Sequence, residues 1–92
     1  MKGINHLVIA ASDLDALAAA WERLGFTLAP RAQHPFGTGN VVIQLHHNYI
    51  ELLSVTRPQD VSGHGATAFS FPAFNRDYLA RHDGFSMLAF DT

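Results

Sequence analysis

Glu51 is the residue whose setting demands an explanation. It stands in the middle of an apolar run, Tyr49-Ile50-Glu51-Leu52-Leu53-Ser54-Val55. A second apolar run, Val41-Val42-Ile43-Gln44-Leu45, precedes it across the polar break His46-His47-Asn48. Two β-rich runs around a polar break read as an antiparallel hairpin. With His47-Asn48 as a two-residue turn, Gln44 falls opposite Glu51. Side chains alternate along a strand, so Asn40, Val42 and Gln44 share a face with Tyr49, Glu51, Leu53 and Val55. The other face carries Val41, Ile43, Leu45, Ile50 and Leu52. Two readings of Glu51 compete. In one its face is open to water, as one face of many antiparallel sheets is. In the other, argued by Tyr49, Leu53 and Val55, the face is enclosed and the carboxylate needs a cation, a metal or a proton. Glu51 is then the candidate catalytic group, and Asn40, Gln44 and Tyr49 are candidate substrate-binding groups beside it.

The histidines come next. His6 interrupts the apolar run Gly3 to Ala10, either as a core imidazole hydrogen-bonded within the sheet or as a functional group. His34 heads the loop His34-Pro35-Phe36-Gly37-Thr38-Gly39-Asn40 at a strand entrance. It is a further substrate-binding candidate, set against the reading of a loop histidine with no role. His46 and His47 belong to the turn and read as solvated; His64 lies in a polar loop and His82 near a turn beside Asp83. Cysteine is absent. Thiolate metal sites are thereby excluded, metal ligation is left to His, Asp and Glu, and the cytoplasm is the expected compartment. Gly37-Thr38-Gly39 lacks the strand–turn–helix setting of a phosphate loop, and no nucleophile triad is present.

These groups need elements to hold them. Both alternate sets of Gly3–Ala10 are largely apolar, which predicts a strand covered on both faces. Ser12 offers a helix N-cap, with Asp15 three residues on. Leu14, Leu17, Ala18, Trp21 and Leu24 follow at helical spacing and Gly25 supplies a stop, so the helix runs from about Asp13 to Leu24. Gly25 to Ala29 reads as a second short strand, ended by Pro30, followed by a loop over 30–39 and then the hairpin. Thr56 to Gly65 is rich in turn formers. Asn75 to Arg81 has room for one or two helical turns, and Phe85 to Phe90 is strand-like.

That last run repeats the first. Gly84-Phe85-Ser86-Met87-Leu88-Ala89-Phe90 lies on Gly3-Ile4-Asn5-His6-Leu7-Val8-Ile9 position by position. The fold class is therefore α+β, a βαβββ module (1–55), a connecting segment (56–83) and the opening strand of a second module (84–92). With 92 residues, nearly half of them apolar, this is one small globular domain or one piece of a larger one. A net charge of −2 without a basic patch argues against nucleic acid. No run is long enough to span a membrane, and no leader pattern opens the sequence.

Several of these segments together resemble the vicinal oxygen chelate superfamily of glyoxalases, bleomycin-resistance proteins and extradiol dioxygenases. They are the opening strand centred on His6, Ser12-Asp13-Leu14-Asp15 at the helix start, Leu24-Gly25-Phe26 at its end and Tyr49-Ile50-Glu51-Leu52 in the fourth strand. The loop His34 to Asn40, with Asn75-Arg76-Asp77 and Gly84-Phe85-Ser86-Met87-Leu88, is similar to the glyoxalase-like domain branch. The resemblance implies a cup of two modules with a divalent metal on its concave face. The ligands would be a histidine of the first strand and a glutamate of the fourth, which are His6 and Glu51 here. Met87 falls where the second module would place its histidine. A third ligand would have to come from His34, Gln44, a further piece of chain or a second copy of this one.

The resemblance thus implies a small-molecule enzyme of lyase, isomerase or dioxygenase type using Zn, Ni, Mn or Fe. Its rival, favoured by Met87 and the aromatic content, is a metal-free module that sequesters a small molecule. An open concave face and an uncovered last strand predict a homodimer, or exchange of that strand with another half-unit, the alternative being a fragment whose second half lies outside this sequence.

Overall fold

The computed structural model describes residues 3–61, 70–81 and 83–90; the expectations for His64 and His82 fall outside them. The elements are β1 (Ile4–Ala10), α1 (Leu14–Arg23), β2 (Ala32–Gln33), β3 (Thr38–Gln44), β4 (Tyr49–Val55), α2 (Phe71–Leu79) and β5 (Gly84–Phe90), with a 3₁₀ turn at Pro58–Asp60. One sheet holds all five strands in the order β2-β3-β4-β1-β5. β1 and β4 run parallel and every other neighbouring pair runs antiparallel.

α1 starts one residue later than its sequence signal. Asp13, not Ser12, is the N-cap, and its carboxylate accepts from the Ala16 amide at 3.1 Å. Ser12 is spent elsewhere, its amide and hydroxyl both donating to Asp83. Leu14, Leu17, Ala18 and Trp21 bring the apolar stripe of α1 onto Val41, Ile43, Ile50 and Leu52. Leu24 does not join them. It is the C-cap, where the chain turns away at Gly25 (φ 101°), and it is 71% exposed.

The strand expected over Gly25 to Ala29 is not formed. Phe26 and Leu28 pack against the core, but Ala29 donates the only cross-bond of that stretch, to Val42, among the described residues. Pro30 carries no amide to extend the ladder, and β2 is a two-residue pairing further on. The hairpin is also corrected. Leu45 donates to the Asn48 carbonyl, so the connection is four residues long. Gln44 pairs with Tyr49 and Val42 with Glu51, a two-residue slip from the expected register. A slip of two preserves the faces.

α2 begins at Phe71, earlier than expected, because the Ser70 hydroxyl caps it through the Ala73 amide and Pro72 sits in its first turn. It lies on the Glu51 side of the sheet. Met87, which pairs with Val8 and so shares its face, receives the Asn75 amide at 3.7 Å. Val8 and Leu53 are accordingly buried on that face, which is not left bare as the sequence reading had it.

β1 and β5 pair about a local two-fold. Leu7 lies opposite Leu88, and the register slips once at Asn5 and once at Ser86. The sequence repeat lays these same residues on one another, Leu7 on Leu88 and Asn5 on Ser86. The outer side of β5 has no neighbouring strand among the described residues, and Phe85 and Phe90 are 54% and 62% exposed.

If α1 and the hairpin share one core, Leu52→Ala should lower unfolding free energy in urea by about 2–5 kcal/mol. Leu24→Ala, at an exposed cap, should stay within about 0.5 kcal/mol of the parent. Equal losses from the two would contradict the packing described.

Candidate functional site

β1 and β4 run parallel side by side, and their register sets the centre. His6 lies opposite Tyr49 and Val8 opposite Glu51. The imidazole and the phenol ring stack at 4.4 Å between centroids, with planes 6° apart. His6 Nε2 and Glu51 Oε1 face each other at 3.6 Å. The carboxylate is held from its other side, where Asn40 Nδ2 donates to Oε2 at 2.9 Å. Asn40 pairs with Leu53, so this is a diagonal contact across β3 and β4.

Glu51 is 8% exposed, between Val8, Leu53 and Val42 on its own face. The enclosed reading of this face therefore holds, and the water-facing one does not. Tyr49 reports the same environment. Its pKa is raised above 10.0, first by burial and then by the negative charge of Glu51.

Two other candidates lie elsewhere. Gln44 is at the exposed end of β3, where its amide donates to the Leu45 and Asn48 carbonyls and closes the turn. The longer turn places it opposite Tyr49 instead of Glu51, with its amide used by the turn. His34 contacts the Thr38 hydroxyl through Nδ1 at 2.6 Å and stacks on Phe36, which meets Phe71 of α2 edge-on. Thr38 is four residues from Val42, the partner of Glu51, or roughly 13 Å along the strand. His46 and His47 are exposed at the turn, as expected.

The sequence reading missed Asn5. Its side-chain oxygen meets His6 Nδ1 at 2.7 Å. Strict alternation sends neighbouring residues to opposite faces, so only the slip in the β1–β5 register could have revealed the contact.

A metal centre can be tested against these donors. At 3.6 Å apart, Nε2 and Oε1 can both reach one ion at about 2.0–2.2 Å. An imidazole with a carboxylate suits borderline divalent metals. Among the described residues no group of three His, Asp or Glu converges. The pair fits as two ligands, with further positions for oxygen donors from outside the chain.

A family model described as a glyoxalase-like domain matches residues 4–92. The chain belongs to that family. Methylmalonyl-CoA epimerase from Streptomyces coelicolor (S115T), in complex with 2-nitronate-propionyl-CoA, shares its fold with a TM-score of 0.72 at 22% identity. The match covers 98% of this chain and 60% of the epimerase. The Mycobacterium tuberculosis epimerase gives a TM-score of 0.65 at 23% identity, over 96% of this chain and 53% of its own. A hypothetical protein from Staphylococcus aureus gives 0.70 at 21%, over 100% and 37%. No curated protein matches the sequence. This glyoxalase-like domain thus has the vicinal oxygen chelate fold and spans little more than half of the epimerases. No helix among the described residues is long and apolar enough to cross a membrane.

The Tyr49 environment has a pH consequence. Folding favours the protonated phenol, so its contribution is whole below about pH 10 and is lost as pH rises through the higher folded-state value. Urea melts between about pH 9 and 11 should show stability falling for the parent and falling less for Tyr49→Phe. Identical slopes would contradict the enclosed site.

Proposed function

We propose that His6 and Glu51 are the two protein ligands of a divalent-cation centre in a glyoxalase-like enzyme of lyase or isomerase type. The substrate class is a small acyl or carbonyl compound offering two neighbouring oxygens. One observation carries the reading. Nε2 and Oε1 face each other inside an apolar face at 3.6 Å, too far for a hydrogen bond and well spaced for two donors on one cation. The epimerase fold likeness supports the substrate class, since the Streptomyces protein is in complex with an acyl-CoA analogue.

A bound divalent ion would supply Lewis acidity at a substrate oxygen. The chain's own groups do the rest. Asn40 occupies Glu51 Oε2 and directs Oε1 toward His6. Tyr49 fixes the imidazole plane by stacking and offers a phenol that stays protonated beyond its ordinary range. Val8 and Leu53 are buried beside the carboxylate and help keep water from it.

Met87 favours a second reading. It stands on the same face at the position the local two-fold relates to His6, and a thioether is a poor ligand for these metals. In that reading the cup binds a small molecule without metal. Metal analysis of protein purified without chelators separates the two: one Zn, Ni, Mn or Fe per site supports the enzyme, and none supports the binder. Under the first reading, His6→Ala and Glu51→Gln should each weaken zinc binding by at least about 10–100-fold in calorimetry. Unchanged affinity in both would remove the assignment.

The outer edge of β5, with Phe85 and Phe90 exposed, supports a partner half-unit, and we propose a second copy of this chain. Light scattering should then give twice the chain mass of 10.1 kDa. A stable species of 10.1 kDa would contradict it.

A further inference from the structure

We infer that the β-bulge at Asn5 is a positioning device that fixes the tautomer of His6, leaving Nε2 as the lone-pair nitrogen aimed at Glu51. The inference rests on the cation-site reading above and adds a residue to it.

Ile4 pairs with Phe90 and His6 with Ala89, so Asn5 is an extra residue in β1. Such a bulge breaks the alternation and re-aims a side chain. Asn5 consequently stands beside its own neighbour, with Oδ1 at 2.7 Å from His6 Nδ1. An amide oxygen only accepts, so Nδ1 must carry the proton. In the neutral ring Nε2 is then the acceptor, and it faces the carboxylate Oε1 at 3.6 Å. Two acceptors facing each other repel unless a proton or a metal cation lies between them, and of these only the metal needs the Nε2 lone pair free. The tautomer that Asn5 selects is therefore the one that a cation requires.

The counterpart bulge shows the same geometry used differently. Ser86 is the extra residue of β5, and it turns to the side of Met87, where both contact Asn75. There the bulge ties the strand to α2 through the Ser86 hydroxyl donating to Asn75 Oδ1 at 2.8 Å. Only at Asn5 does the re-aimed group meet a ring nitrogen among the described residues. Ligating histidines are commonly held in this way, through the nitrogen that does not bind the metal.

The test combines nitrogen-15 NMR of the His6 ring in metal-free protein at alkaline pH with zinc calorimetry. The parent should show a protonated Nδ1 and an imine-type Nε2. Asn5→Leu, which cannot accept, should lose that preference and bind zinc about 10–100-fold more weakly. Asn5→Asp, which still accepts, should keep the tautomer and stay within a few-fold of the parent. A parent ring protonated on Nε2 overturns the inference whatever zinc does, as does an Asn5→Leu ring identical to the parent's. If Asn5→Leu fails to fold, the parent spectrum and Asn5→Asp carry the test. A parent that has the Nδ1 proton and binds no zinc supports the tautomer assignment while overturning the cation site.

Discussion

A carboxylate on the inner face of a small sheet costs several kcal/mol unless something compensates its charge. In this chain one hydrogen bond supplies part of that compensation, and the proposed cation between Glu51 and the facing His6 ring supplies the rest. Asn40 takes one oxygen of Glu51, and His6 faces the other across a gap too long for direct bonding. Neither contact is local in sequence. The parallel pairing of β1 with β4 puts His6 beside Tyr49 and one step from Glu51. α1 and its core hold the hairpin from behind, and α2 lies over the Glu51 side. The fold can thus be read as the support for one polar pair.

The local two-fold through Leu7 and Leu88 sets the limit of what one module holds. It relates His6 to Met87, so the second strand repeats the backbone of the first without repeating its imidazole. Symmetry in register and bulge position, with divergence at the chemical position, is how one scaffold carries different sites. The likeness to epimerases, at little over 20% identity, speaks for the scaffold.

The parts of this fold that depend on periodicity were legible in the sequence. α1 followed from its 3.6-residue spacing, and the two faces of the hairpin from strict alternation, which survived a two-residue error in register. The register itself was not legible, because it depends on the turn: Leu45 bonds Asn48, and Gln44 is consumed in closing that turn. The strand expected over Gly25 to Ala29 failed for a comparable reason, since a run that packs its side chains on the core needs no ladder to do so. Of the candidate residues, His6, Asn40, Tyr49 and Glu51 come together and His34 and Gln44 do not. Asn5 was invisible because a bulge is a property of a pair of strands, and one strand's pattern does not encode it.

What belongs between His6 Nε2 and Glu51 Oε1 decides the chemistry of this face. Anomalous diffraction at the zinc edge, from crystals grown with stoichiometric zinc, addresses that gap directly. The account predicts a peak within about 2.0–2.2 Å of both atoms. A gap without a peak that closes to a direct hydrogen bond of about 3 Å, or zinc bound only at the exposed His46 and His47, would contradict it.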